Sequence, residues 1–322
     1  MNATSMLRRL AGRRLLVLGD LMLDEYLWGV AERISPEAPV PVVRAERKSY
    51  APGGAANVVA NVQSLGGSAM VFGVVGDDGA GQQLIAELQA RGADTSGVVV
   101  ESHRWTTLKT RVIAQRQQML RLDHETSAPI AEATAKELLR HARAALGECD
   151  AVVLSDYGKG ALRRSVVTHV IEAAAKLKKP VLAGPKPESL SRFAGATFLS
   201  FNRTEAARAV HATLLSNDEV EAAGARLLNE LSARALAITL SADGVALFER
   251  GKKQRRFPAR TIEVFDVAGA GDTFLSAVAL AIAAKAKFAD AVQFGNLAAA
   301  AAVRKVGVVA VTSHDIEALS DK

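Results

Sequence analysis

Short apolar runs alternate with amphipathic helical runs along most of this chain, and that alternation leaves few folds open. Arg14 to Leu18 reads as a strand ending at Gly19-Asp20, Ala55 to Leu65 as a helix, and Ala69 to Val75 as the next strand. Gly81 to Arg91 and Ala131 to Leu146 carry helical spacing, Ala151 to Ser155 is a buried strand, and Ser165 to Leu177 is helical again. Pro180 to Ala183, Thr197 to Ser200 and Leu236 to Thr239 are further strands, interleaved with helices over Arg203 to Val210 and Asp218 to Leu231. Gly269 to Lys285 and Ala289 to Val303 are Ala-rich helices. Strands and helices in turn predict an α/β fold with a mainly parallel sheet covered on both faces. A chain of 322 residues, 49% of them hydrophobic, can bury such a core.

Two stretches break the alternation. Leu21 to Arg47 and Val98 to Asp123 hold β-type residues without helical patterning, with strands expected at Val40 to Val43, Thr106 to Ile113 and Gln118 to Leu122. Together they predict a small separate sheet, about residues 21–47 and 98–123, placed to act as a lid over the main domain. Its exposed edges and apolar face would invite a partner subunit.

Chemistry is concentrated in Asp266-Val267-Ala268-Gly269-Ala270-Gly271-Asp272-Thr273-Phe274, which follows a β-rich segment and opens a helix. The small residues from Ala268 to Gly271 let a ligand approach backbone closely. First-turn amides lack intrahelical partners and, with the helix dipole, favour an anion. Asp272 sits in that anion site, a costly position unless the carboxylate has a task. Accepting a proton from a hydroxyl that attacks a phosphoryl group is such a task. A plain helix start with Asp272 as a first-turn acid is the simpler alternative, and other segments decide against it.

Asp20 and Asp24 flank the end of the first strand, where open α/β sheets bind ligands. Gly53-Gly54 before Asn57 offers bare backbone and a mixed donor and acceptor to sugar hydroxyls, or forms a tight turn. Asn202 and Glu205 form either a capping box or a place near nucleotide phosphates and hydrated magnesium. Lys186, after Gly184-Pro185, is a point charge for a phosphate or a surface lysine. Ser155 to Gly160 ends a strand and either lines the cleft or turns the chain. Thr110-Arg111 and Arg116 to Arg121 lie in the expected lid sheet, and Arg104, Lys109 and Arg111 are candidates for gripping a substrate phosphate, or charges that blunt a sheet edge.

Other classes are excluded or weakened. Net charge is +6 with scattered basic residues and 5% aromatics, so a nucleic-acid partner is not expected. No run approaches ~18 apolar residues and residues 1–14 lack a signal core, so no membrane association and a cytoplasmic location are expected. Cys149 is the single cysteine, which excludes an internal disulfide and a cysteine-based zinc site. A dinucleotide oxidoreductase would want Gly-x-Gly-x-x-Gly after the first strand, and Gly19-Asp20-Leu21 fails that pattern.

Taken together, Gly53-Gly54-Ala55-Ala56-Asn57, Asn202-Arg203-Thr204-Glu205 and Asp266 to Asp272 resemble the signatures of the ribokinase-like (PfkB) sugar kinases, in order and across the chain, with Val267 where threonine is usual. Gly19 to Gly29, Arg33 to Val42, Lys109 to Ala114 and Gln117 to Asp123 are similar to bacterial heptose 7-phosphate kinases of lipopolysaccharide precursor synthesis. The resemblance implies a ribokinase-like three-layer sandwich over residues 1–322 and ATP-dependent phosphorylation of D-glycero-β-D-manno-heptose 7-phosphate at O1. It looks like the stand-alone form of an enzyme that is often fused to an adenylyltransferase. It assigns Asp272 as base and Gly269, Ala270 and Gly271 as amide donors. It places the sugar on Asp20, Asp24, Gly53, Gly54, Asn57, Lys109 and Arg111. ATP is expected along Lys186, Asn202, Glu205, Thr239, Ser241, Gly244 and Asn296. Magnesium would reach Glu205 through water, potassium would lie at Asp266, and a homodimer would form through the lid sheet. Gly184 stands where those kinases usually have aspartate. A kinase for another phosphosugar or a nucleoside, or a non-catalytic sugar-binding regulator, would share most of these motifs.

Overall fold

The computed structural model describes residues 2–115, 117–260 and 262–320. Arg116, expected in the small sheet, lies outside them. In chain order the strands are β1 Arg14–Gly19, β2 Leu21–Ile34, β3 Pro41–Gly54, β4 Ser68–Gly76, β5 Asp94–Glu101, β6 Thr107–Ala114 and β7 Gln117–His124. They continue as β8 Ala151–Ser155, β9 Val181–Gly184, β10 Phe198–Asn202, β11 Ala235–Thr239, β12 Val245–Glu249 and β13 Arg255–Phe257. The helices are α1 Ala3–Leu10, α2 Ala55–Ser64, α3 Gly79–Ala90, α4 Glu132–Ala145 and α5 Arg164–Lys176, then α6 Arg203–Val210, α7 Asn217–Glu230, α8 Ala270–Ala283, α9 Phe288–Ala302 and α10 Ser313–Ser320.

Nine strands form the main sheet in the order β13-β12-β11-β10-β9-β8-β1-β4-β5, parallel from β11 to β5 and antiparallel at β12 and β13. The period-2 geometry of each strand divides its side chains between two cores. Leu15 and Val17 face one core with α1, α2, α8, α9 and α10, while Leu16 and Leu18 face the other with α4 to α7. Ala151 and Val153 of β8 part from Val152 and Leu154 in the same way. This is the three-layer arrangement that continuous apolar strands predict, and each fully buried Leu contributes about 2 kcal/mol.

From β1 the chain runs outward to β4 and β5, then returns to β8 on the other side and proceeds to β11. The β1/β8 boundary is therefore a topological switch point, with a crevice at the carboxyl ends of the strands. Gly19, Ser155, Gly184, Asn202 and Thr239 all end strands along this one edge.

The second sheet has the order β3-β2-β6-β7. Only Asp20 separates β1 from β2, so the small sheet grows directly out of the switch point. Its root is buried from Leu21 to Tyr26 and its tip is exposed at Arg33 and Ile34. Register shifts at Trp28/Gly29 and Ala31/Arg33 mark irregularities that bend and twist such a hairpin.

Several expectations are corrected here. Val98 to Glu101 belongs to β5 and pairs with β4 in the main sheet, so the small sheet's second half begins at Thr107. β-type composition is common to both sheets and cannot tell them apart. Gly53 and Gly54 end β3 opposite Met22 and Leu21 instead of forming a tight turn. Gly54 has φ +57°, and a Cβ there would stand 2.6 Å from the Asp20 carbonyl oxygen, which requires glycine. The segment directly before α8, from Pro258 to Ala268, is irregular rather than β-rich, with Thr261 outside the described residues. Helix α1 lies outside the predicted elements, although Ala3, Met6, Leu7 and Leu10 bury one stripe and the Asn2 side chain caps it by accepting from the Ser5 amide.

Candidate active site

Helix α8 crosses over the switch point with its N-terminus toward the crevice. Gly269 at its N-cap has φ +77° and lies against Asn57, whose Nδ2 would stand 2.8 Å from a Cβ. No side chain caps this end; the Ala270 amide donates to the Val267 carbonyl at 3.3 Å, and the Gly271 amide stays available. A Cβ at Gly271 would meet nothing within 4 Å, so packing alone does not require glycine there.

Asp272 is partly buried in the first turn of α8. Its Oδ1 accepts from the Tyr157 hydroxyl at 2.5 Å and its Oδ2 from Asn57 Nδ2 at 2.8 Å. Burial pushes this carboxyl up to about 6, against the pull of Tyr157, Asn57 and the charge of Lys186; Asp24 adds to the rise. Asn57 is held in turn. Asn61 Nδ2 donates to Asn57 Oδ1 at 3.1 Å, while Asn61 Oδ1 accepts from Thr273 Oγ1 and the Val311 amide. The Asn57 amide group is thus turned toward Asp272.

Asp20 binds the chain itself. Its carboxylate accepts the backbone amides of Tyr157, Lys159 and Ala161 at 2.8, 3.0 and 3.0 Å. It thereby holds the β8 exit loop, and burial raises its pKa from the ordinary aspartate value. Asp156 plays a similar part, accepting from the amides of Gly158 and Lys186 and from Ser189 Oγ.

On the small sheet, Asp24 is buried beneath Gly53 and pairs with Arg111, whose guanidinium also lies over the Tyr26 ring. Lys109 lies 2.8 Å from Asp123 and 3.5 Å from Glu125, and Glu125 also takes Lys159 at 2.6 Å. Arg104 is not available for a phosphate. It is buried, with its guanidinium on the carbonyls of Thr126, Ala128 and Lys159 and beside Glu101.

Toward the other end of the crevice, Asn202 and Glu205 form a full capping box at the start of α6, as the simpler reading expects. Glu205 does more, since its Oε1 takes Lys186 Nζ at 2.6 Å, and that cation sits 4.9 Å from the Tyr157 ring centroid. Thr239 ends β11, Ser241 has φ +55°, and Gly244 has φ +83° with Pro258 and Ala259 packed against it. Asn296 Nδ2 donates to the Pro258 carbonyl at 2.9 Å, which draws Asn296 to the same corner. A cleft of about 580 Å³ lies beside it, lined by Phe257, Pro258, Arg260, Gln293 and Asn296. Asp266 ties two loops together through the amides of Ala268 and Gly307, both at 2.9 Å.

Asp272, Asn57, Asp24 and Lys186 therefore converge on one crevice, and Thr239, Ser241, Gly244 and Asn296 gather at its far end. Tyr157, Asn61, Lys159 and Glu125 were not singled out by residue pattern. Tyr157 was legible only as part of a glycine-containing loop after a strand, since its partner is 115 residues away. Among the described residues no group of three or more His, Cys, Asp or Glu could hold a metal ion.

Residues 13–315 match the pfkB family carbohydrate kinase profile. The chain is 42% identical over 305 residues to the bifunctional protein HldE of Desulfatibacillum aliphaticivorans and 44% identical over 315 residues to that of Caulobacter sp. strain K31. These alignments cover 95% and 97% of this chain but 62% and 64% of the relatives, so the chain spans less than two thirds of their length. Among solved structures, Escherichia coli phosphofructokinase-2 in complex with potassium superposes with a TM-score of 0.80 at 21% identity, covering 97% of this chain and 98% of that one. Arabidopsis thaliana ribokinase complexed with ribose and ATP gives 0.73 at 19% identity, with 96% and 98% covered. These last two likenesses concern the fold.

Proposed function

The chain belongs to the pfkB family of carbohydrate kinases, and from that premise we propose that it transfers the γ-phosphoryl group of ATP to O1 of D-glycero-β-D-manno-heptose 7-phosphate. The observation that carries the kinase chemistry is Asp272, a carboxylate with raised pKa at an uncapped helix N-terminus, held by Asn57 and Tyr157. The heptose assignment is supported by the identity of about two residues in five to HldE proteins across nearly the whole chain.

The sugar lies between the switch point and the small sheet, which acts as a lid. Asp24, the backbone of Gly53 and Gly54, and Asn57 meet its hydroxyls; Asp20 contributes by fixing the Tyr157 to Ala161 loop. Lys109 and Arg111 meet the 7-phosphate, which as a dianion competes with Asp123, Glu125 and Asp24 for them. Asp272 accepts the anomeric proton while O1 bonds to the γ-phosphorus and the bond from phosphorus to the bridging oxygen breaks. ADP leaves with that electron pair. The amides of Gly269, Ala270 and Gly271 and the Lys186 ammonium take up charge on the transferring group.

ATP extends from Lys186 past Asn202 and Glu205 to Thr239, Ser241, Gly244 and Asn296. Among the described residues no group of three or more His, Cys, Asp or Glu offers a protein cage for magnesium. They fit an ion held mainly by phosphate oxygens and water, as magnesium prefers, with Glu205 reached through water. Its chemistry there would be charge neutralisation of the phosphates. A monovalent cation would sit among carbonyls of the loop that Asp266 braces. The outer face of the small sheet is the surface for a second copy.

ADP release should be measured with magnesium and potassium present, comparing heptose 7-phosphate, fructose 6-phosphate, ribose and adenosine. Turnover restricted to the heptose is expected. Preference for another acceptor would keep the phosphotransfer and overturn the substrate, and no turnover with any would favour a binding protein.

A further inference from the structure

The inference below rests on the reading of Asp272 as the base. Two protein donors reach the Asp272 carboxylate, one on each oxygen, from elements far apart in sequence. An ionised carboxylate offers about four lone-pair sites, so each oxygen keeps one. With a single donor the group would turn about its terminal torsion, which has a broad, soft profile. With two it presents its free lone pairs in set directions. The two donors differ in kind. Asn57 is buried within α2 and locked by Asn61. Tyr157 stands in the β8 exit loop, its amide on Asp20, its ring under the Lys186 ammonium and its neighbour Gly158 at φ +66°. This one side chain meets both Asp272, through its hydroxyl, and the cation paired with Glu205, through its ring.

We propose that Tyr157 is the positioning residue of the base: its hydroxyl holds Asp272 Oδ1 so that the remaining lone pair meets the attacking sugar hydroxyl. Through Lys186 above its ring, the same side chain couples the orientation of the base to the phosphate side of the crevice. The phenol does not itself take the proton, since burial and the neighbouring Asp272 charge push its ionisation well above the ordinary tyrosine value. As a donor to the ionised carboxylate it also restrains that group's basicity. The other charges facing Asp272 are Lys186, which opposes the rise, and Asp24, which adds to it; Glu205 and Asp24 both face Tyr157.

The test is the pH profile of kcat/KM for wild type, Tyr157→Phe and Asp272→Asn. Phenylalanine keeps the ring under Lys186 and removes only the hydroxyl. Its acid limb is expected to move upward, giving roughly a tenfold loss at pH 6 that shrinks toward pH 8. Fluorotyrosine at position 157, a stronger donor, is expected to move the limb downward, and it decides the matter should the phenylalanine variant fold poorly. A limb unmoved in both, with Asp272→Asn inactive, would overturn the positioning role and leave the base in place. Turnover persisting in Asp272→Asn would overturn the base itself, and the role of Tyr157 with it.

Discussion

Lys186 Nζ lies 2.6 Å from Glu205 Oε1, across the carboxyl ends of β9 and β10. The same glutamate accepts the Asn202 amide through its other oxygen at 2.9 Å. One side chain therefore serves both the α6 cap and the phosphate corner of the crevice, and the two uses are separable. Glu205→Ala should lose about 1 kcal/mol of stability with the capping box, read as a lower thermal midpoint. Glu205→Gln keeps an acceptor for the Asn202 amide, so its midpoint should stay near wild type while the magnesium half-saturation rises.

Lys186→Met removes the cation that faces Glu205, the Tyr157 ring and Asp272. Loss of one charge-stabilising donor typically costs about 10²–10³ in kcat. Steady-state kinetics should show that fall with a smaller change in the sugar KM.

Asp272→Asn is expected to lower kcat by about 10²–10⁴ with little change in substrate binding, measured by calorimetric titration of the sugar. In wild type the ionised form is the active one. Its carboxyl sits near 6, so the rate should fall as pH drops through that value and level off above it.

Arg111→Met leaves Asp24 buried and without its cation, since Asp24 is only 3% exposed. An uncompensated buried charge costs about 3–5 kcal/mol. Urea unfolding should show a loss of that order, largely recovered in the double variant with Asp24→Asn. A phosphosugar KM that stays high in the recovered double variant separates the ligand role of Arg111 from its structural one.

Every residue of β7 from Gln117 to His124 is exposed, including Met119, Leu120 and Leu122. If the small sheet pairs with a second copy, Leu120→Lys with Leu122→Lys should shift sedimentation from dimer to monomer. An unchanged dimer would place the interface elsewhere.

The alternation of apolar runs was enough for the main sheet, because strands buried on both faces and amphipathic helices leave opposite periodic marks. β1, β4, β8 and α2 to α7 fall where those marks lie, within a residue or two at most ends. The small sheet was legible as β-type chain but not its boundaries. Val98 to Val100 and Thr107 to Ile113 are both β-type, and only pairing with β4 or β2 separates them.

Residue types and local backbone demand were also written in sequence: small residues and an acid at the start of α8, glycines against Asn57 and Asp20, a capping box at Asn202. The helix start and the capping box depend on neighbours a few residues away, whereas the sequence shows the glycines but not the Asn57 and Asp20 atoms that crowd them. Partnership was not local. That Asp20 serves three loop amides, that Asp24 pairs with Arg111, and that Tyr157 reaches Asp272 depend on groups 87 to 141 residues apart. A carboxylate in one-dimensional sequence looks the same whether a backbone amide, a guanidinium or a phenol will meet it. Only packing around the β1/β8 switch point decides which donor arrives first and which lone pairs are left for a ligand.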